Sequence, residues 1–165
     1  MIEEVFKDLD QIDLGERVLD VGAGWGTTTG YLLRRGLRVW AVDVDPGSVS
    51  YLRSLFKDFV EAGLLEVRLA PAEALPFGDN AFDSVVSVAA AHHFKDVEAA
   101  LREMDRVAKR LVVIYDWTPE SAGVTNPHSA EELEAKMRKV AAVAQERGYV
   151  FARRRLWYRL TKQKI

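Results

Sequence analysis

Cysteine is absent from this chain of 165 residues. That excludes disulfide cross-links, a thiolate nucleophile and a thiolate metal site, and it gives no sign of secretion. Long apolar runs are missing too; none approaches the roughly 20 residues that a membrane span needs. The opening Met1-Ile2-Glu3-Glu4-Val5-Phe6 is acidic and amphipathic, unlike a signal peptide. A cytoplasmic location with no membrane partner is therefore expected. Only three histidines occur, His92, His93 and His128, and they lack metal-ligand spacing, so no metal is expected. Repeats, low-complexity tracts and internal boundaries are not seen, and residues 1–165 read as one domain.

What is present is an ordinary globular composition, 48% hydrophobic, enough for a sizeable core. The net charge of −2 hides an asymmetry. After Glu146 come Arg147, Arg153, Arg154, Arg155, Arg159, Lys162 and Lys164, with no acid among them. Two readings of this basic strip are open. It could face phosphate or nucleic acid, or its charges could protect an exposed sheet edge.

The chain is organised around Arg17-Val18-Leu19-Asp20-Val21-Gly22-Ala23-Gly24-Trp25-Gly26-Thr27. A short apolar strand runs into a glycine turn and then into a helix from about Thr27 to Arg35. Glycines there permit positive φ and let a ligand lie against the backbone. The helix start offers free N–H groups and a positive dipole end. A nucleotide-like ligand over this turn is the first expectation.

Ahead of it, Ile2, Val5, Phe6, Leu9 and Ile12 recur at helical spacing. Downstream, strands are expected at Arg38–Val42, Leu65–Leu69, Phe82–Val88 and Arg110–Tyr115. One helix opens at the Asp45-Pro46 cap and runs to Gly63, with Phe56, Phe59 and Val60 on its apolar face. Others start at Asp96 and at the capping box Ser129-Ala130-Glu131-Glu132. The tail Tyr149–Lys164 reads as a hairpin turning near Arg154-Arg155. Strands alternating with helices imply an α/β fold, a mainly parallel twisted sheet with helices on both faces and a C-terminal antiparallel hairpin. Ligands of such sheets sit beyond the carboxyl ends of the strands.

A dinucleotide fold would place a third glycine at Thr27. Asp20, so close to the turn, would repel a pyrophosphate but suit an ammonium or sulfonium ion. Asp43 ends the second strand where a carboxylate can accept both hydroxyls of a ribose. A dinucleotide fold uses an acid there too, so a nicotinamide oxidoreductase is disfavoured by Thr27 and Asp20 alone.

At this point the sequence resembles the class I S-adenosylmethionine-dependent methyltransferases over about Arg17–Asp116. Val18–Gly26 is similar to the first motif of that family, and Val42-Asp43-Val44-Asp45 to the second. Ala72–Asp83 matches the segment joining strands three and four. Val88-Ala89-Ala90-Ala91-His92-His93-Phe94 resembles the segment after strand four in the branch that includes quinone-biosynthesis and small-molecule enzymes.

The resemblance implies a Rossmann-like methyltransferase fold with S-adenosylmethionine as cofactor. Asp20 and the backbone of Gly22, Ala23, Gly24 and Gly26 would hold its methionine part, and Asp43 its ribose. Val44 would pack on the adenine, Ala72 and Glu73 would lie along the adenine edge, and Ala89 near the methionyl end. Pro71 stands where the family often has an acid, so either Glu73 or a backbone group with water reads the adenine amino group.

Methyl transfer from a sulfonium needs alignment and exclusion of water more than side-chain chemistry. His92 or His93 is the natural general base for a hydroxyl or amine acceptor. The alternative for these imidazoles is a scaffold role in the loop. Asp116 and Trp117 follow strand five, where substrate contacts are common, and Trp25 either covers the cofactor or packs on the helix.

Sixteen residues precede the first strand, so a small cover is expected, made by residues 1–12 and 117–128. Three completions of the site are open: a macromolecular acceptor such as RNA or protein, a second subunit in a homodimer, or a small acceptor under the loop. A cofactor-binding subunit without catalysis is the alternative function.

Overall fold

The computed structural model describes residues 2–124 and 127–164. Met1, Ile165 and, within the expected 117–128 loop, Thr125 and Asn126 lie outside the described residues. The strands are β1 (Arg17–Val21), β2 (Arg38–Asp43), β3 (Leu65–Leu69), β4 (Phe82–Val88), β5 (Ala108–Trp117), β6 (Val150–Arg153) and β7 (Trp157–Gln163). They form one sheet in the order β3-β2-β1-β4-β5-β7-β6. The first five are parallel, whereas β7 runs antiparallel between β5 and β6. The order reverses between β1 and β4, and a crevice opens at such a reversal.

Both faces of the sheet are covered, which is why the strands read as continuous apolar runs. Along β5 the side chains alternate between two cores: Val112 and Ile114 join one, Leu111, Val113 and Tyr115 the other. The first core is closed by α5 (Val97–Val107) and α6 (Ala130–Glu146), through Leu101, Met104, Met137 and Val140. The second is closed by α1 (Ile2–Asp10), α2 (Thr27–Arg34) and α3 (Pro46–Leu55), through Val5, Leu9, Leu32 and Leu52.

Capping follows the sequence. Asp45 accepts from the Gly47 N–H at 2.9 Å and Asp96 from the Ala99 N–H at 3.0 Å. Ser129 Oγ accepts from the Glu132 N–H at 3.2 Å. One expectation is corrected: the helix from Pro46 to Gly63 is two helices, α3 and α4 (Lys57–Glu61). They meet at Phe56, with φ −109° and ψ 32°. A Cβ on Gly26 or Gly30 would stand 2.9 and 3.2 Å from the Phe56 ring. The chain breaks the helix where this ring packs into the two glycine positions of α2.

α1 is lashed to the body rather than poised over a crevice. Asp8 accepts from the Tyr115 hydroxyl at 2.6 Å and from Arg159 Nη1 at 2.8 Å. Glu4 accepts from Trp157 Nε1 at 3.1 Å, and the Phe6 ring stacks on Tyr31 at 4.3 Å. The basic strip is likewise largely spent on structure. Arg147 and Lys162 bond to Asp105, Arg153 to Glu120, Arg159 to Asp8, and Lys164 Nζ donates to the Asp105 carbonyl.

Candidate functional site: a crevice at the strand ends

The turn after β1 is a backbone device. Gly22, Gly24 and Gly26 have φ of 76°, 54° and 92°, a region that costs other residues about 1–2 kcal/mol. Their surroundings differ. A Cβ on Gly22 would lie 2.4 Å from the Cβ of Ala90, and one on Gly26 would strike Leu52. A Cβ on Gly24 would meet nothing within 4 Å. Gly22 and Gly26 therefore let protein approach protein, whereas Gly24 faces open space where a ligand can lie.

β2 holds the turn in place. The Gly22 and Ala23 N–H groups donate to the Val42 carbonyl at 2.9 and 3.0 Å. Asp43 Oδ2 accepts from the Gly24 N–H at 2.8 Å, and its Oδ1 from the Asp45 N–H at 3.0 Å. A carboxylate has about four acceptor sites, so Asp43 keeps capacity toward the crevice it lines. Buried Ser48 donates to the Gly24 carbonyl, a tie the sequence reading missed because the hydroxyl sits unmarked within α3.

The crevice has a volume of about 490 Å³. Its walls come from the ends of β1, β2, β3 and β4: Gly22, Gly24, Asp43, Val44, Ala70–Glu73, Ala89 and Ala90, then His93–Lys95. Trp25 at 67% and Val44 at 66% exposure form an apolar rim. Ala89 has φ 60°, unusual for alanine, and its N–H donates to the Tyr115 carbonyl at 2.8 Å. Strain of this kind concentrates at binding sites.

Several expected contacts lie one layer back. Asp20 is buried behind the turn, where it accepts from Thr29 Oγ1 at 2.7 Å. Desolvation raises its pKa to about 7, assisted by the Asp43 charge and opposed by the Thr29 hydrogen bond. Ala23 and Gly26 are packed inside and do not line the crevice. Glu73 lines it, but its Oε2 accepts from the Lys95 and Asp96 N–H groups at 2.8 and 3.0 Å. It pins the start of α5 through that oxygen, while Oε1 keeps capacity toward the crevice that Glu73 lines. Among the described residues none from 2–12 or 117–128 lines the crevice itself, although His128 lines the cavity that adjoins it.

The histidines divide between two spaces. His93 lines the main crevice and also a neighbouring cavity of about 280 Å³, which His92 and His128 line as well. Burial lowers the His93 pKa, with the adjacent His92 next in weight. His92 is buried, and its Nδ1 lies 2.8 and 3.0 Å from the two oxygens of Asp116. Asp116 also accepts from the His92 N–H at 2.7 Å and the Trp117 N–H at 2.9 Å. It is thus a positioning carboxylate rather than a crevice residue.

An open glycine, a ribose-height carboxylate, an apolar rim and a strained alanine around one crevice suit an amino-acid nucleoside such as S-adenosylmethionine. Comparison with known proteins agrees. The methyltransferase-domain family model matches residues 19–115. The uncharacterized methyltransferase YcgJ of Bacillus subtilis is 38% identical over 109 residues, covering 63% of this chain and 42% of that protein. The ubiquinone/menaquinone biosynthesis C-methyltransferase UbiE of Chromobacterium violaceum is 38% identical over 98 residues, covering 58% and 39%. The chain spans about two-fifths of the length of these curated relatives. The crystal structure of a SAM-dependent methyltransferase from Aquifex aeolicus superposes with a TM-score of 0.76 at 25% identity, covering 96% of this chain and 88% of that one. This chain belongs to the methyltransferase-domain family, as an S-adenosylmethionine-dependent member.

Proposed function

We propose that the protein transfers a methyl group to a small organic acceptor that enters from the histidine side of the crevice. The observation that carries this is the wall shared by the two cavities: His93 borders both the 490 Å³ crevice and the 280 Å³ space beside it. When bound, S-adenosylmethionine supplies a methyl on a sulfonium, already activated for in-line displacement. Asp43 accepts hydrogen bonds from the ribose while it fixes Gly24, and Val44 packs on the adenine beside Ala72 and Glu73. Gly22, Gly24 and Ala89 present bare backbone to the methionyl end. Asp20 acts through the turn, where its charge favours a cation.

On the acceptor side His93 is the base nearest the crevice. His92 serves beside it, its ring oriented by Asp116 so that Nε2 carries the free lone pair. Ion pairing of the basic strip argues for a small acceptor over RNA. So does the quinone-biosynthesis name of one relative. The exposed Trp25 and Val44 suit cover by that acceptor or by a second subunit. Among the described residues no helix is long and apolar enough to cross a membrane. With this reading goes a cytoplasmic location, proposed from the cysteine-free sequence.

Titration with S-adenosylmethionine tests the cofactor seat. Binding in the micromolar range is expected, and Asp43→Ala weakens it by at least about tenfold, since a charge-assisted bond and the Gly24 anchor go together. Asp43→Asn, which keeps an acceptor for Gly24, falls between the two. Unchanged affinity in Asp43→Ala rejects the site.

A further inference from the structure

His128 lies 35 residues beyond the adjacent pair His92 and His93, yet the fold gathers all three. His92 and His93 rings lie 4.0 Å apart, His92 and His128 5.0 Å, and His93 and His128 5.7 Å, centroid to centroid. Each offers a ring nitrogen, and the three nitrogens all fall within 4.8 Å of one another. We propose that His92, His93 and His128 form a binding site for one divalent first-row transition ion, zinc above all.

Four-coordinate zinc takes histidine nitrogens at about 2.0–2.1 Å, which sets them roughly 3.4 Å apart. From 4.8 Å the nitrogens must draw closer, and the two rings outside the core, exposed His93 and half-buried His128, are the ones placed to move. The surroundings carry a second, independent mark of such a site. Asp116 receives the Nδ1 hydrogen of buried His92 at 2.8 Å, which fixes the tautomer and leaves the Nε2 lone pair for a metal. Glu132 Oε2 stands 3.3 Å from His128 Nδ1 in the same relation. Two carboxylates behind three imidazoles offset the charge of a divalent ion, while Lys136 on the cavity wall opposes it.

Three protein ligands leave a fourth position open, as in catalytic zinc sites. It faces the cavity bordering the cofactor crevice. There the ion would hold an acceptor that arrives already as an anion, such as a thiolate or phenolate, so that no proton has to leave and no imidazole need act as base; this last step alone rests on the methyl-transfer reading. A sequence scan by spacing could not find the set, because α6 and the segment before it deliver His128 from outside the His92-His93 loop.

The untagged chain, stripped with chelator, is titrated with Zn²⁺ by calorimetry and with Co²⁺ by visible absorption. The expected result is one ion per chain and a tetrahedral, nitrogen-ligated Co²⁺ spectrum. His128→Gln and His93→Gln each weaken the ion by at least about tenfold, and Asp116→Asn by about tenfold through the tautomer of His92. Circular dichroism and S-adenosylhomocysteine affinity of His128→Gln, whose side chain is outside the crevice, establish that the fold persists. Absence of stoichiometric binding, or Zn²⁺ affinity unchanged in His128→Gln, overturns the proposal. Zinc bound without any affinity for S-adenosylhomocysteine would support the metal site and reject the methyl-transfer reading instead.

Discussion

Asp20 offers a quantitative test of the buried charge behind the glycine turn. Its carboxyl goes from 3.8, the ordinary value, to about 7 in the fold, chiefly by desolvation. Between those values the native state holds a proton that the unfolded chain has released. Stability contributed by this group is therefore full at low pH and is lost as pH rises from about 4 to about 7. At 1.36 kcal/mol per pH unit, the loss approaches about 4 kcal/mol. Carboxylates held low by partners, such as Asp83 under the Arg17 and Glu16 N–H groups or Glu103 beside Arg106, slope the other way. They do so equally in wild type and Asp20→Asn, so the difference between the two proteins isolates Asp20. Urea unfolding followed by circular dichroism from about pH 4 to about pH 8 should show the asparagine variant gaining on wild type by up to about 4 kcal/mol. A cation seated over the turn opposes the shift, so S-adenosylmethionine should release a proton from wild type on binding near neutral pH. Calorimetry in buffers of different ionisation enthalpy reads that proton. Parallel stability curves across the range would refute the reasoning.

Three further outcomes follow from packing and pairing. Gly22→Ala adds left-handed strain to a methyl group set against Ala90 and should cost about 2–5 kcal/mol of stability, measured by denaturant unfolding. Gly24→Ala meets no atom, so its stability loss should stay near the 1–2 kcal/mol of left-handed strain (about the cost for any L-residue) while cofactor affinity falls further than stability explains. Asp8→Ala strips the Tyr115 hydroxyl and Arg159 of their shared acceptor; about 2–3 kcal/mol should be lost in the same assay. Equal effects of the two glycine variants on binding, or a silent Asp8→Ala, would contradict the packing described.

The fold was legible because its signals are local and repeated. Apolar runs five residues long, caps at Asp45, Asp96 and Ser129, and glycines at the turns each act within a few residues. The Rossmann-like architecture and hairpin follow from their order, and the turn near Arg154 stands between β6 and β7 as expected. The break at Phe56 was not legible, since helical periodicity continues through it and the ring's neighbours, Gly26 and Gly30, come from a distant segment. The site divides in the same way. Gly22, Gly24, Asp43, Val44, Ala72, Glu73, Ala89 and His93 reach the crevice, since each follows a strand end. Asp20 precedes the turn within β1 and so points into packing. The basic strip looked available because the acids that neutralise it, Asp8, Asp105 and Glu120, come from distant segments.

The antiparallel insertion of β7 has a consequence for synthesis. Among the described residues β6 pairs with β7 alone, and the far edge of β5 pairs only with β7. A ribosome therefore releases β5, with its run Leu111-Val112-Val113-Ile114, and later β6, before either has a neighbour on that side. Until residue 163 has cleared the exit tunnel, the nascent chain carries an open, β-branched edge of the kind that recruits other chains. A single strand then closes two pairings at once. Translational pausing in the codons for 150–163 should accordingly raise chaperone dependence and aggregation of newly made protein without altering the stability of the finished molecule.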